Sequence, residues 1–265
     1  MVDVNVVGEV TKAAVEKCGW AWGFDHVSVL LPLAADLRKV ASHPSTLSEE
    51  LMQELGFHFA IHSFDDSFIL PLVSSQKPRL EEADAFLDSF KRDPEVRARL
   101  VRDYNLDGYF SGLDPENHDL NLKRLAAGHV VGYPACCVRH HVLSYHSHDL
   151  ERQMVPTSKW PESAKGYKNG VVPWIICSST CQPSIEYAKK AIALYGRYLS
   201  LPEQLAVPTP RWDEERIQRH YLARTNPEAY PASTEDPQAR IREVAGKVRA
   251  AGMGALARLK AEEER

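Results

Sequence analysis

The chain lacks most features that would classify it on sight. Its 265 residues hold no run approaching the roughly 18 consecutive apolar residues of a membrane-spanning helix, so no membrane partner is expected. There is no surplus of positive charge either. Thirty-two Lys and Arg against 36 Asp and Glu give a formal net charge of −4, which argues against a general nucleic-acid binder with its cationic face. No phosphate loop occurs: Gly108-Tyr109-Phe110-Ser111-Gly112 has neither the lysine nor the spacing, and no G-x-G-x-x-G fingerprint marks a nucleotide cofactor. Met1-Val2-Asp3-Val4-Asn5 lacks the basic and apolar segments of a secretory signal, so a cytoplasmic location is expected. Internal repeats are not visible. With 44% hydrophobic and 26% charged residues, the composition is that of an ordinary globular chain, not of a disordered, collagen-like or disulfide-stapled one.

Cysteine is scarce, and its placement is therefore informative. The five are Cys18, Cys136, Cys137, Cys177 and Cys181, an odd number that argues against a disulfide framework in a reducing compartment. Four of them fall between residues 136 and 181. Cys18 stands alone and reads as a packing residue.

The fold class expected is mainly α, with at most a few short strands and irregular loops carrying the cysteines. Three regions are expected, or one domain containing all three: 1–118 helical, 119–200 the cysteine-motif core, and 201–265 a proline-rich linker with C-terminal helices. Thr46 stands three residues before Glu49, a capping-box spacing, and Gly56 stops that helix. Residues 57–72 suggest a strand or two, with Asp65-Asp66 as a turn. Leu80, Ala83, Phe86, Leu87 and Phe90 form one helical stripe, and Pro94 opens a second helix with Val96, Leu100 and Val101 inward. Asp114-Pro115 starts a further helix, which Gly128 is expected to end. Residues 156–173, with three prolines and two glycines, read as an irregular crossing, and Trp174-Ile175-Ile176 as extended. Residues 184–199 form an amphipathic helix with Ile185, Ala188, Ile192 and Tyr195 on one face and Ser184 as its cap. Prolines from Pro202 to Pro231 mark linkers around a helix at Trp212 to Arg224. The tail from Pro237 has few large apolar residues, so it is expected on the surface or against a partner chain, as in a homo-oligomer joined through the C-terminal helix.

The chemistry concentrates in Gly132-Tyr133-Pro134-Ala135-Cys136-Cys137 and in Cys177-Ser178-Ser179-Thr180-Cys181-Gln182-Pro183-Ser184. Each segment leads into a helix, whose N-terminal amides and dipole favour anionic sulfur. Two thiolate groups at two helix starts would make one site for a cationic metal. Adjacent and C-x3-C spacings fit a zinc ribbon poorly. Adjacent residues rarely reach one ion together, so one of Cys136 and Cys137 is expected outside the ligand set. Three ligands, Cys137, Cys177 and Cys181, are the number that holds a [4Fe–4S] cluster with one open iron. Cys136 is then the alternative ligand or a reactive thiol. Zinc, mere packing of buried cysteines and metal-free thiol redox chemistry stay open as alternatives.

G-Y-P-x-C-C followed by C-x3-C-x2-S and a helix resembles the family of uncharacterised prokaryotic proteins designated DUF483, over residues 120–200. The resemblance implies a shared cysteine site and no particular reaction. Histidines crowd the same stretch: His129, His140, His141, His146 and His148. His140 and His141 lie within one turn of Cys137 and are candidates for a ligand or for general acid–base work beside Cys136. Arg124 and Arg139 are candidate anion binders, and Tyr133 and Tyr187 candidate proton donors, though surface or core roles are commoner for each. His58 and His62, at i, i+4 spacing, fit strands better than a metal site. The function expected is an iron–sulfur enzyme acting on a small molecule, a lyase or sulfur-transferring enzyme. The alternatives are a structural zinc module that binds a partner and a thiol redox protein.

Overall fold

A computed structural model describes residues 2–18, 26–42, 48–65, 68–144, 172–174, 176–178, 180–199 and 237–265. Helix α1 (Val4–Cys18) comes first, and a π-helical turn (His26–Leu30) runs into the short α2 (Leu31–Ala34). Then follow β1 (Ala41–Ser42), α3 (Glu49–Glu54), β2 (His58–Asp65) and β3 (Phe68–Ser74). The middle of the chain is helical: α4 (Lys77–Arg92), α5 (Pro94–Asp103), α6 (Asp107–Phe110), α7 (Pro115–Val130) and α8 (Ala135–Ser144). Helices α9 (Gln182–Tyr195) and α10 (Pro237–Glu263) complete the described elements. The fold is mainly α with one antiparallel sheet in the order β1-β3-β2, as expected. No helix among the described residues is long and apolar enough to cross a membrane.

Local chemistry explains most boundaries. Pro94 and Pro115 occupy first helical positions, where a missing N–H costs nothing. The preceding Asp93 and Asp114 accept from the amides of Glu95 (2.8 Å) and Asn117 (3.0 Å). Ser48 caps α3, accepting from Leu51 N–H at 3.4 Å. Gly56, with φ +82°, stops that helix as expected. Gly128 does not end α7: the helix runs through it to Val130, and Gly132, with φ +71°, is the stop. The reason is tertiary. A Cβ on Gly128 would lie 2.9 Å from Val138 Cγ2, so glycine there lets α8 approach α7 closely.

The sheet lies between two hydrophobic cores, because alternate residues of a strand face opposite sides. Val73 of β3 joins a core built from α1, the π-turn, α2, α3, α9 and α10. Its neighbour Leu72, with Leu70, joins a second core built from α4 to α8. The stripe of α4 is buried as expected, with Phe86 partly so. In α9 the buried face is Ser184, Ala188, Ala191, Leu194 and Tyr195, rotated from the expected one, and Ile185 and Ile192 are only half-buried. Small residues point inward there because α9 packs closely against α2.

Helix α10 packs along α1 of its own chain. Val248, Ala255 and Leu256 are buried, and Lys260 pairs with Glu54 at 2.7 Å while Arg249 pairs with Glu50. The apolar face of α10 is buried within its own chain. A Cβ on Gly252 would meet Leu51 at 2.6 Å, so the scarcity of large side chains reflects a close helix contact. The expected cap at Thr46, the crossing over 156–171, the linker prolines Pro202 to Pro231 and the helix Trp212 to Arg224 lie outside the described residues. So do Asp66, Ile175 and the side chain of Cys18.

Candidate metal centre

Two helix starts meet where the cores adjoin. After Gly132 the chain reverses sharply: Tyr133 N–H donates to Gly128 C=O and Gly132 N–H to His129 C=O, both at 3.1 Å. Pro134 then accepts from Cys137 N–H at 2.8 Å, so Cys136 and Cys137 occupy the first turn of α8. Across from them, Cys181 holds the N-cap position of α9 with extended backbone, and Cys181 N–H donates to Ser178 C=O at 3.2 Å. This turn folds Cys177 back toward Cys181.

The four sulfurs of Cys136, Cys137, Cys177 and Cys181 lie within 4.8 Å of one another. Cys136 and Cys137 each stand 3.6 Å from Cys181, and 4.0 Å from each other. Both members of the adjacent pair bring their sulfurs to this group. Side chains tilt toward the N-terminus of their helix, and from the first turn both sulfurs reach one point beyond its end. Cys137 and Cys181 are buried, Cys177 is half-buried and Cys136 is exposed. The sulfurs are free thiols.

Ser184, one turn into α9, fastens the centre. Its hydroxyl donates to Cys181 Sγ at 3.3 Å, stands 3.4 Å from Cys137 Sγ, and accepts from the Trp174 indole N–H at 3.0 Å. Its role is therefore in the cluster and not at the cap. Burial pushes the Cys137 thiol up, against hydrogen bonding by Ser184 and the Cys177 backbone. Burial, aided by hydrogen bonds and charge from Cys181 and Cys136, raises Cys177 to about 11. Burial opposes ionisation of Cys181 too, but Ser184 and the neighbouring thiols outweigh it and hold Cys181 below the usual range. Cys181 thus ionises more readily than an ordinary thiol, whereas Cys137 and Cys177 are favoured as thiolates only beside a cation.

The remaining candidates fall outside this group. His140 and His141 sit half-buried on α8, and the metal-capable group found among the described residues does not include them. Burial, with the charges of Arg124 and His140, lowers His141 to about 4, so it is neutral near pH 7. His129 shares a hydrogen bond with the Tyr104 hydroxyl at 3.1 Å, and burial lowers its pKa. His146 and His148 lie outside the described residues. Arg139 is exposed, and Arg124 places its charge beside Tyr109 and His141. His62 is buried on β2 with Nδ1 3.0 Å from Asp84, while His58 is exposed on the same strand. Tyr133 and Tyr187 flank Trp174, with ring centroids 5.3 and 4.6 Å away. Sequence reasoning missed Trp174 and misassigned Ser184. The only signal was the placement of Ser184 three residues after Cys181, one helical turn away. The chain matches no protein-family model, no curated protein and no solved structure.

Proposed function

We propose that Cys136, Cys137, Cys177 and Cys181 bind a single thiophilic metal ion, zinc foremost, as a clamp between α8 and α9. The observation that carries this is the sulfur spacing. Four sulfurs about 2.3 Å from one zinc ion stand roughly 3.8 Å apart at tetrahedral angles. The separations among Cys136, Cys137 and Cys181 are 3.6, 3.6 and 4.0 Å, near that figure, and Cys177 lies within 4.8 Å of the others. The electrostatics agree. A dication offsets thiolates that burial and mutual repulsion otherwise disfavour, and the two helix N-termini offset the remaining negative charge. The clamp would tie α8, rooted in one core, to α9, rooted in the other. The resemblance of both motifs to DUF483 is in keeping with this, since those motifs supply all four sulfurs.

A second reading keeps an iron–sulfur enzyme. The exposure of Cys136 favours it, because one side of the centre is then open to a small substrate. In that reading Cys137, Cys177 and Cys181 hold the cluster, Cys136 is a reactive thiol, and His140 or His141 moves protons. A [4Fe–4S] cube puts each thiolate on a different iron, so the sulfurs must spread apart to seat it.

Metal analysis of protein purified without oxygen separates the readings. The clamp predicts about one zinc per chain, no acid-labile sulfide, and loss of the metal in Cys137→Ser and Cys181→Ser. About four irons with matching sulfide would establish the cluster instead. A metal-free protein that takes up neither would leave four packed thiols.

A further inference from the structure

The four sulfurs of the cysteine centre are not equivalent. Cys137 Sγ is buried and stands 3.4 Å from the Ser184 hydroxyl, and Cys181, also buried, accepts from that hydroxyl at 3.3 Å. Cys136 is exposed. Among the described residues the contacts of its Sγ are to other sulfurs: Cys181 at 3.6 Å, Cys137 at 4.0 Å and Cys177 within 4.8 Å. An ion in the centre holds its ligands as thiolates, and a thiolate has no proton to donate. Stabilising a thiolate's charge lowers its nucleophilicity, and burial keeps reagents away from it. Cys136 is thus the sulfur that a small reagent can reach and that no hydroxyl quiets.

An oxidised cysteine ends as a disulfide when a second sulfur stands close by. Cys137 is a poor partner for Cys136. Consecutive Cα atoms are about 3.8 Å apart across a trans peptide, short of the roughly 4.4–6.8 Å that a disulfide spans. Cys181 has no such restriction. It stands on the facing helix start with its sulfur 3.6 Å from that of Cys136, so a shift of about 1.6 Å closes the distance to a bond.

We propose that the centre is a peroxide-responsive switch, in which Cys136 is oxidised first, Cys181 resolves it, and the metal ion is expelled. The inference rests on the zinc-clamp reading. The Cys136 thiolate attacks one oxygen of hydrogen peroxide: an S–O bond forms, the O–O bond breaks, and the second oxygen leaves as hydroxide. The Cys181 thiolate then attacks the sulfenic sulfur: an S–S bond forms, the S–O bond breaks, and a second hydroxide leaves. Two thiolates and one peroxide give one disulfide and two hydroxides, the peroxide taking two electrons. Cys137 and Cys177 are then the sulfurs left to the ion, too few for a closed structural site, and it dissociates. Helices α8 and α9 stay joined, by a covalent bond in place of the ion.

The test treats the zinc-loaded full chain with hydrogen peroxide and follows the released ion with a chromophoric indicator. In parallel, remaining thiols are alkylated with iodoacetamide, and disulfides are then reduced and labelled with N-ethylmaleimide. Tandem mass spectrometry locates each label. Zinc is expected to leave in step with disulfide formation, with maleimide on Cys136 and Cys181 and acetamide on Cys137 and Cys177. Dithiothreitol with added zinc should restore the loaded state. Cys136→Ser should release zinc at least about tenfold more slowly per loaded chain, because the reachable thiolate is gone. The wild-type labelling makes the test independent of how tightly that variant holds zinc. Zinc that stays bound under peroxide, or a disulfide that involves Cys137 or Cys177, overturns the switch and leaves the clamp standing. A chain that takes up no zinc before treatment overturns both.

Discussion

Replacing Ser184 by alanine removes one oxygen from between two sulfurs and an indole. The Trp174 N–H loses its acceptor and Cys181 loses a donor. Groups that orient metal ligands typically change affinity about 10- to 100-fold, and an orphaned buried donor costs about 1–3 kcal/mol. On the zinc-clamp proposal, Ser184→Ala is therefore expected to weaken zinc binding at least about tenfold, measured by competition with a chromophoric chelator, and to lower the urea midpoint. An unchanged dissociation constant would mean that the hydroxyl contributes only to packing. At this scale the sequence was informative about sulfur and uninformative about its neighbours. Cysteines announce themselves by rarity, whereas Ser184 belongs to a common residue type whose meaning comes from burial.

Helix ends were legible because the signals are local. Asp93-Pro94 and Asp114-Pro115 carry their own caps, and Gly56 carries its own stop. Helix contacts were not, and Gly128 is the clearest instance. Read locally it is a stop signal, yet its role is to admit Val138 of α8. Gly128→Ala should then destabilise the protein by about 1–3 kcal/mol, as overpacking does, even though alanine is the better helix former. Thermal unfolding measures this. A stabilised variant would show that α7 and α8 adjust freely, and that the first turn of α8 is not held in place by that contact. Similar reasoning explains α10. Its lack of large apolar residues suggested a surface helix, but small residues such as Gly252 are what a close approach to α1 and α3 requires.

Among the described residues, the shared sheet and the cysteine centre both join the two cores. Cys137 and Cys181 lie 44 positions apart in sequence, so the proposed ion between them would close a long loop as well as join two helices. A ligand that binds only the folded arrangement stabilises it by about 4 kcal/mol at a thousandfold excess over its dissociation constant. Hydrogen exchange with and without a strong chelator should show where that stability acts. Protection is expected to fall in the first turns of α8 and α9 and to hold in the contact between α1 and α10. Loss of protection throughout the chain would indicate that the centre supports the whole fold, and no change would remove it from the account of stability.

The residue types alone determined that the chain is mainly helical, that its elements begin and end near particular prolines, aspartates and glycines, and that sulfur gathers in two segments. These follow from backbone preferences and spacing, which act over a few residues. Only the tertiary structure decided that both adjacent cysteines reach the same point, that Ser184 faces sulfur, and that α10 is held by its own chain. Each of these depends on what packing brings together from distant parts of the chain, and no local preference encodes it.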